Sequence, residues 1–325
     1  MLLFKYLRKT MSKQSTSTLL MVKPHGFDYN KQTAEDNYFQ TGSPELSSKE
    51  IKHKALNEFE GFVAQLRDHG IEVIVYDDLG TTATPDAVFP NNWFSTHSDG
   101  TLHLYPMFAP NRRKERRQEV LDLLTKEYGF SIDRIIDWSK QEDVGLFLEG
   151  TGSMILDRPN KIIYAALSER TSEWLLKQYA QEIGYELVAF RSYHNVKQNE
   201  VLIYHTNVIL CVAQVYAVVC FECITNPTER KAVKESLKKT NKTIIELSLD
   251  QIDQFAGNML EAQNKKNESF LIMSSRAYHS LRSQQIEQIE QHSKIIHSPL
   301  STIENYGGGS ARCMLAEIFL PQNTK

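Results

Sequence analysis

Cys313 is the residue of this chain whose surroundings best suit covalent chemistry. It directly follows the segment GGGSAR, residues 307–312, near the end of a 325-residue chain. Glycines let the backbone approach a ligand closely because they carry no Cβ atom. If SARCMLAEI begins with a helical turn, unpaired backbone amides would also favour the thiolate. The local context is equally consistent with a nucleophile and with a buried small hydrophobe, the commonest role of a free cysteine.

A nucleophilic cysteine needs a base and a group that orients the base. His205 follows an apolar run in LIYHTNVIL, and Glu149 follows LFL immediately before a Gly-Thr-Gly turn. A carboxylate that follows such an apolar run is costly to bury unless it is paired with another group or takes part in catalysis. Taken singly, His205 suits a structural histidine and Glu149 a turn former. Together with Cys313, they indicate cysteine-dependent nucleophilic catalysis.

The other three cysteines suit a structural role. Cys211, Cys220 and Cys223 lie within the apolar segment VILCVAQVYAVVCFECI, where a free cysteine packs as a small hydrophobe. The C-x-x-C spacing of Cys220 and Cys223 has no second pair and no nearby histidine pair to complete a zinc site. We therefore expect no metal, no organic cofactor and no disulfide framework, and a reducing, cytoplasmic environment.

The charge of the chain argues against several classes of partner. Its 37 basic and 40 acidic residues give a formal charge of −3, so there is no net attraction to nucleic acid or to an anionic membrane. The basic run NRRKERR, residues 111–117, opens an amphipathic stretch and is interpreted as the solvated face of a helix. No apolar run approaches the roughly 18 residues that cross a bilayer. The N-terminus MLLFKYLRKTMSK lacks the features of a signal peptide, and Met11 is an alternative start.

The residues that could do chemistry lie far apart in the sequence, so the fold must bring them together. Short β-rich runs alternate with helical patterns in the order strand, strand, helix, strand, repeated about five times. Helical patterns that end at Gly70, Gly129 and Gly184 are each followed by an apolar strand. The pattern predicts an α/β fold of five ββαβ modules arranged radially around a central channel, with loops converging at one end.

The sequence also predicts the domain organisation. No linker rich in glycine, serine or proline divides it. We expect a poorly ordered extension at residues 1–17, a single catalytic domain at 18–321 and a short tail at 322–325. The long polar segment 27–48 could act as a lid, and the sequence leaves this open. It leaves the oligomeric state open as well, including a homo-oligomer.

Four separated segments of the chain carry a family resemblance. In chain order they are DAVFPNNWFSTHSDGTLHLYPMFAPNRRKERR, FLEGTGSMILDR, YHTNVIL and GGGSARCMLAEIFLP. They resemble the amidinotransferase/arginine deiminase superfamily over residues 18–321, and most closely its branch of citrulline-utilisation hydrolases, or arginine-deiminase-related proteins. The resemblance implies a five-bladed α/β propeller, which agrees with the module count. It also implies that Cys313 is the catalytic cysteine, His205 the catalytic histidine and Glu149 the carboxylate paired with it.

Three asparagines bear on the substrate. Relatives that act on a guanidinium hold it with carboxylates, because a planar cation calls for bidentate anionic partners. The resemblance places two of those carboxylate positions on the pair Asn91 and Asn92 in VFPNNW and on Asn207. A neutral amide suits a ureido group, which favours citrulline over arginine. Two observations leave the choice open: PNN is also a strong turn signal, and some superfamily members that hydrolyse a guanidino group completely carry an asparagine in the first loop.

The amino-acid end of the substrate has weaker candidates. Arg312 could bind an α-carboxylate or form a surface ion pair, and the sequence does not separate the two. Further candidates for this end are Arg191, Arg276 and Asn258. For Asp86, His97 and His103 we expect ordinary loop and strand roles.

These residues predict a hydrolase of small amino-acid substrates. In the favoured hypothesis, the Cys313 thiolate attacks the ureido carbon of citrulline, and His205, oriented by Glu149, protonates the departing ornithine nitrogen. Water then releases carbamate, so that the products are ornithine, CO₂ and ammonia. Alternatives are an arginine deiminase or dihydrolase, an amidinotransferase, and a non-catalytic propeller that serves as a binding module.

Overall fold

The computed structural model describes residues 13–42, 46–79, 83–196 and 199–322. The strands in these ranges are β1 (Thr18–Lys23), β2 (Glu72–Asp77), β3 (Phe94–Thr96), β4 (Thr101–Leu104), β5 (Arg134–Asp137), β6 (Ile155–Asp157), β7 (Ile162–Ala166), β8 (Glu186–Phe190), β9 (Tyr193–Val196), β10 (Asn199–Leu202), β11 (Leu210–Val212), β12 (Tyr216–Val219), β13 (Thr243–Glu246), β14 (Leu260–Gln263), β15 (Ser269–Ser274), β16 (Lys294–Ser298) and β17 (Ala316–Glu317). The α-helices are α1 (Ser48–Asp68), α2 (Gln118–Asp122), α3 (Gly150–Ser153), α4 (Glu173–Ile183), α5 (Pro227–Lys239), α6 (Leu249–Ile252), α7 (Ser275–Ser280), α8 (Ser283–Glu290) and α9 (Ser301–Gly307).

One sheet topology recurs along the chain. The described residues form five three-stranded sheets, in the orders β3-β4-β5, β6-β7-β8, β11-β12-β13, β14-β15-β16 and β17-β1-β2, and the hairpin β9-β10. In each three-stranded sheet the first strand is antiparallel to the second, and the second is parallel to the third. Parallel neighbours need a crossover connection, and helices supply it in each sheet. The result is a mixed α/β fold with the repeated modules expected from the sequence.

The fifth sheet joins the two ends of the chain. β17, close to the C-terminus, pairs antiparallel with β1, through Leu19 with Glu317 and Leu20 with Ala316. β1 then pairs with β2 over its whole length, from Thr18 with Glu72 to Lys23 with Asp77. Because Cys313 lies immediately before β17, its position depends on this closure.

Helix α1 shows how the amphipathic pattern builds the core. The Ser47 hydroxyl accepts the N–H of Glu50, and the Glu50 carboxylate accepts the N–H of Ser47 in return. The apolar residues on the buried face of α1 are spaced by three and four: Ile51, Ala55, Phe59, Phe62, Val63 and Leu66. Gly70 then takes φ +80°, a conformation that glycine adopts without a Cβ penalty.

The basic run at residues 111–117 differs from its predicted structure. Its centre is a short 3₁₀ turn, Arg112–Glu115, in which Arg112 and Glu115 are buried. Arg116 pairs with Glu142 at 2.6 Å and Arg117 pairs with Asp78 at 2.5 Å. The prediction that this run forms the solvated face of a helix was therefore wrong. Arg116 and Arg117 pair with carboxylates from other segments, which withdraws their side chains from water.

The N-terminal boundary also differs from the expected one. Gln14 and Ser15 are buried, although the predicted extension included both. The Gln14 amide donates to the carbonyls of Leu156 at 2.9 Å and Val212 at 2.8 Å, and its oxygen accepts the N–H of Arg158. Gln14 therefore bridges β6 and β11. Residues 1–12 and 323–325 lie outside the described residues, and no helix within the described ranges is long and apolar enough to cross a membrane.

Replacing Gln14 with alanine tests this bridge. Gln14→Ala leaves buried backbone groups of two sheets without partners, so we expect the free energy of unfolding to fall by about 2–4 kcal/mol. Urea denaturation measures the change. Gln118→Ala, at an exposed glutamine whose side-chain amide donates to Asp122, is the control and should change the free energy of unfolding by less than about 0.5 kcal/mol. Equal stability of the two variants would contradict the bridge.

Candidate active site

Short helical turns place the candidate residues at one end of the sheets. Each turn directly precedes the first strand of a module: Pro90–Asn92 before β3, Gly150–Ser153 before β6, Thr206–Val208 before β11 and Ala311–Met314 before β17. The Gly150–Ser153 turn contacts both Pro90–Asn92 and Thr206–Val208, and Pro90–Asn92 contacts Ala311–Met314. Residues from four modules therefore meet in one place.

Glu149 and His205 form a buried pair. The His205 Nε2 atom lies 2.8 Å from the Glu149 Oε2 atom, and both side chains are almost fully shielded from solvent. The other carboxylate oxygen of Glu149 accepts the N–H of Phe108 at 2.9 Å. This arrangement holds the imidazole in one orientation and directs Nδ1 away from the carboxylate.

Two arginines control the charge of this pair. Burial by itself would raise the pKa of Glu149, but Arg170, the hydrogen bond to His205, and Arg112 together hold it well below its usual range. The Arg170 Nη1 atom lies 3.6 Å from the Glu149 carboxylate and the Arg112 Nη1 atom lies 4.0 Å from it. Burial lowers the pKa of His205 and outweighs the opposing effect of Glu149, so His205 is neutral at pH 7. Its proton lies on Nε2, facing the ionised carboxylate.

Cys313 lies between two amide side chains. The Nδ2 atoms of Asn258 and Asn207 lie 3.3 Å and 3.4 Å from the Cys313 Sγ atom. Both amides can donate to the sulfur, and donors to a charged acceptor stabilise it more than its neutral form. Asn258 is itself fixed, because it also donates to the Asn207 carbonyl and accepts the N–H of Arg312. Asn258, a candidate for the amino-acid end of the substrate, thus lies beside the Cys313 sulfur.

The glycine-rich segment allows close packing around this cysteine. Gly308 has φ +66°, and a Cβ atom there would lie 2.4 Å from the Asn37 amide. A Cβ atom on Gly309 would lie 2.9 Å from the Phe89 ring and 3.2 Å from the Cys313 Cβ atom. Ser310, which follows, donates to the buried carboxylate of Glu304 at 2.6 Å. Glycine is therefore required here by contact as well as by conformation.

Cys313 and His205 line one small cavity of about 20 Å³. Its walls come from segments far apart in the sequence: Thr33, Asn37, Asp86, Phe89, Asn92, Arg112, Arg170, Tyr204, His205, Gly307, Gly308, Gly309 and Cys313. A volume of this size holds about one water molecule.

The two asparagines of PNN have different positions. Asn92 lines the cavity, where its oxygen accepts the Arg112 guanidinium at 2.8 Å and its Nδ2 atom lies 3.5 Å from the Glu149 carbonyl. Asn91 is buried but is not among the residues that line the cavity, and its amide atoms have no hydrogen-bond partner within the described ranges. Its carbonyl accepts the Thr151 hydroxyl, so the backbone of Asn91 connects two of the turns.

Three charged residues of this site, Asp86, Arg112 and Arg170, were not predicted from the sequence. Asp86 accepts hydrogen bonds from Asn30 and Thr33 through Oδ2, while its buried Oδ1 atom has no hydrogen-bond partner among the described residues. Burial raises the pKa of Asp86, against the effect of Arg112. Asp86 and Arg112 lie inside the first of the four segments that carry the family resemblance. The resemblance therefore identified this part of the chain, but it assigned no role to either residue.

Arg170 is the third, and no local signal in LSERTSE distinguishes it. It forms a two-pronged ion pair with Asp36, and its guanidinium lies 4.8 Å from the centre of the Tyr204 ring. Burial of so large a cation is compensated by Asp36 on one side and Glu149 on the other.

Residues 23–320 match the family described as eukaryotic N,N-dimethylarginine dimethylhydrolase. The chain belongs to this family. Membership confirms the assignment to the amidinotransferase superfamily and the prediction that the chain is a hydrolase. No curated protein sequence matches the chain.

Solved structures of other proteins share the fold of this dimethylhydrolase family member. ArgZ, an arginine dihydrolase of cyanobacteria, in its apo form is 17% identical with a TM-score of 0.70, and the match covers 94% of this chain but 41% of that chain. The N-terminal domain of ArgZ bound to product is 17% identical with a TM-score of 0.68, covering 92% of this chain and 96% of that domain. A variant of dimethylarginine dimethylaminohydrolase in an adduct with S-methyl-L-thiocitrulline is 14% identical with a TM-score of 0.58, covering 95% and 100%.

Three arginines proposed for the amino-acid end are not among the residues that line the cavity in this family member. Arg312 is buried and pairs with Glu317 at 2.9 Å, so it is neither a surface residue nor a wall of the cavity. Arg191 is half-exposed and lies 3.7 Å from Glu229. Arg276 donates to the side chains of Gln254 and Asn305. In each case a nearby polar side chain pairs with the guanidinium or accepts a hydrogen bond from it.

Glu149→Gln tests the charge relationship of the pair. His205 must be neutral to accept a proton, so kcat/KM should fall only as pH drops through its pKa, which lies below the ordinary 6.5. Because Glu149 raises the pKa of His205, its neutral replacement should move this acidic limb to still lower pH. We also expect kcat to fall about a thousandfold or more, because the imidazole loses its orienting anion.

The measurement is kcat/KM between about pH 5 and pH 8, below and above the ordinary histidine pKa, for the wild type and Glu149→Gln. Glu169→Gln, at an exposed glutamate, is the matched control and should leave the profile unchanged. An acidic limb that moved upward in Glu149→Gln would contradict the assigned roles.

Proposed function

We propose that this protein hydrolyses the ureido C–N bond of citrulline or a close derivative, with Cys313 as nucleophile, His205 as acid and base, and Glu149 as the orienting carboxylate. The observation that carries the proposal is the pair of amides, Asn207 and Asn258, that flank the Cys313 sulfur. Neutral amides donate to oxygen and accept from N–H, as a ureido group requires. A guanidinium would meet no carboxylate at these two positions.

In the first step, His205 takes the thiol proton of Cys313, and the thiolate attacks the ureido carbon. The Nδ1 atom is the acceptor, because Nε2 already donates to Glu149. The C–N bond to ornithine then breaks, and the imidazolium returns its proton to the leaving nitrogen. Ornithine departs and leaves a carbamoyl group as a thioester on Cys313.

In the second step, water attacks the thioester carbon while His205 accepts a water proton. The C–S bond breaks, the sulfur leaves as thiolate, and carbamate decomposes to CO₂ and ammonia. His205 therefore serves twice as base and once as acid, and Glu149 stabilises its charged form each time.

The side-chain amides of Asn207 and Asn92 offer atoms that can bind the ureido group. The Oδ1 atom of Asn207 is buried without a hydrogen-bond partner among the described residues, so it can accept the terminal N–H of the ureido group. The Nδ2 atom of Asn92 donates to the Glu149 carbonyl at 3.5 Å, a long contact that leaves it able to donate to the developing negative charge on the ureido oxygen.

A side-by-side incubation with citrulline and with arginine tests this function. We expect ornithine and ammonia from citrulline and no product from arginine, as read by mass spectrometry. Cys313→Ala is the control and should abolish turnover while leaving the circular dichroism spectrum unchanged. Turnover retained in Cys313→Ala, or citrulline accumulating from arginine, would refute the proposal. Ornithine from both substrates would establish complete hydrolysis of a guanidino group.

Asp86 favours a second candidate, the hydrolysis of a guanidino group. Its unpartnered Oδ1 atom is a carboxylate oxygen in the wall of the cavity, which is the kind of partner that a guanidinium needs. ArgZ, with which the chain shares its fold, is an arginine dihydrolase. The same incubation decides between the two candidates, because the guanidino reaction requires turnover of arginine.

Part of the segment at residues 27–42 lines the cavity, and we propose that this segment moves to admit substrate. The cavity of about 20 Å³ is far smaller than an amino acid, so a wall must move. Thr33 and Asn37 of this segment form part of the wall, and Asp36 fastens it to Arg170. Residues 43–45, which belong to the longer segment considered in the sequence, lie outside the described residues.

Asp36→Asn tests this movement. Loss of the ion pair with Arg170 should raise the hydrogen-exchange rate of residues 27–42 about three- to tenfold, and added ornithine should slow it again. Glu35→Gln, at the exposed neighbouring position, is the matched control and should exchange like the wild type. A segment whose exchange responds neither to Asp36→Asn nor to ornithine is not a lid.

We further propose that the five sheets are arranged radially, as a five-bladed α/β propeller. Contacts between first strands of different sheets support this, since β17 lies against β3, and β11 lies against both β6 and β14. The convergence of four turns at one end is the other support. A crystal structure whose first strands do not surround a common axis would refute the arrangement.

A further inference from the structure

Tyr204 connects the two parts of the chain that supply His205 and Cys313. It directly precedes His205 in the sequence, and its side chain is buried. The Tyr204 hydroxyl donates to the Gly308 carbonyl at 2.7 Å, and Gly308 belongs to the glycine-rich segment before Cys313. Tyr204 and Gly308 are 104 positions apart in the sequence. This hydrogen bond therefore joins the module of the histidine to the module of the cysteine.

Neighbouring side chains hold the Tyr204 ring in place. The Arg170 guanidinium lies 4.8 Å from the centre of the ring, and the centre of the His205 ring lies 4.7 Å from it. Phe39 packs in an edge arrangement, with the ring centres 6.3 Å apart. Because packing has already fixed the ring, its hydroxyl loses little conformational entropy when it forms a hydrogen bond. The hydroxyl is thus preorganised to bind the Gly308 carbonyl.

The Tyr204 phenol keeps its proton at neutral and mildly alkaline pH. Burial raises the pKa of Tyr204 well above its ordinary value of about 10, and the nearby Cys313 acts in the same direction. Arg170 opposes both effects but does not cancel them. A protonated phenol can donate to a carbonyl, whereas a phenolate cannot. The hydrogen bond to Gly308 is therefore retained throughout this pH range.

The glycine-rich segment before Cys313 depends on contacts of this kind. Glycines 307–309 have no side chains that could fix their backbone, so other segments must do so. Asn37 also donates to the Gly308 carbonyl, but at 3.4 Å, and it belongs to the segment 27–42 that we propose moves. Tyr204 lies outside that segment, and its contact with the carbonyl is shorter. The tyrosine can therefore hold Gly308 whether the segment is open or closed.

We propose that Tyr204 sets the position of the Cys313 sulfur relative to His205, by holding the Gly308 carbonyl through its hydroxyl. The inference rests on the function proposed for Cys313 and His205. Tyr204 is a positioning residue, because it acts through the backbone of the glycine-rich segment. Without the hydroxyl, this backbone samples more positions, and the sulfur and the imidazole are less often placed for reaction. The reaction is then slower, although every reacting group is still present.

Tyr204→Phe tests this role, because it removes the hydroxyl and keeps the ring. We expect kcat for citrulline to fall about ten- to a hundredfold, while KM changes by less than about twofold, since the groups that contact the substrate remain. Release of ornithine measures both constants. Tyr164→Phe is the matched control: its buried hydroxyl lies 2.9 Å from the Ser236 hydroxyl, and Tyr164 is not among the residues that line the cavity at Cys313. This control should leave kcat and KM unchanged.

Hydrogen exchange of residues 307–313 reports on the segment without any substrate. The Gly308 N–H donates to the Glu304 carbonyl at 2.8 Å, and the Cys313 N–H donates to the Ser310 carbonyl at 3.0 Å. Amides that are hydrogen-bonded in this way exchange when the segment opens locally. Their exchange rate therefore measures how firmly the segment is held.

Three variants are compared by this exchange measurement. Tyr204→Phe should raise the exchange rate of residues 307–313 about three- to tenfold, and Tyr164→Phe should not change it. Asn37→Ala should raise it less than Tyr204→Phe does, because the hydrogen bond from Asn37 to Gly308 is longer.

The outcomes separate this inference from the proposed function. If the wild type turns over neither citrulline nor arginine, the proposed function fails, and the exchange rates still decide whether Tyr204 holds the segment. If the wild type is active, a Tyr204→Phe variant that retains kcat, or that changes KM alone, overturns the inference and leaves the proposed function intact. Equal exchange in Tyr204→Phe and Tyr164→Phe, or faster exchange in Asn37→Ala than in Tyr204→Phe, overturns it as well.

Discussion

The structure depends above all on keeping a buried carboxylate ionised. Glu149 has no access to water, and an uncompensated charge in such a place costs several kcal/mol. Arg170 and Arg112 supply the compensation, and each is fastened by a second acid, Asp36 and Glu115 respectively. These ion pairs tie together segments that are far apart in the sequence. The charge that orients His205 is thus also what holds the walls of the site against one another.

Cys313, the proposed nucleophile, depends on a different set of contacts. Neutral amides flank the Cys313 sulfur, while the charged residues surround Glu149 and His205. The glycines before Cys313 bring the backbone against Phe89 and Asn37, and β17 immediately after it pairs with β1. Closure of the chain therefore places the Cys313 sulfur in the same cavity as His205, which the middle of the chain supplies.

The short first strands separate two chemically different ends. β3 and β6 have three residues each, so the turns that precede them and the loops that follow them are only about 10 Å apart along the strand. At one end, buried carboxylates and arginines surround a small cavity with Cys313. At the other end, four basic and two acidic side chains line a larger cavity. Gln14 bridges β6 and β11 and holds the backbone of Arg158, one of the residues that line this second cavity.

The sequence by itself determined the module order, the superfamily and the identity of Cys313, His205 and Glu149 as candidates. These follow from local patterns: strand and helix periodicity, glycine turns, and motifs of neighbouring residues. Arg170 and Asp36 could not be found in this way, because their pairing depends on which segments meet in space. The basic run at residues 111–117 shows the same limit, since its pattern suggested solvation, whereas Arg116 and Arg117 pair with Glu142 and Asp78 from other segments. Only the tertiary structure decided which charges are compensated, because Coulomb interactions and burial depend on distance in space and not on distance along the chain.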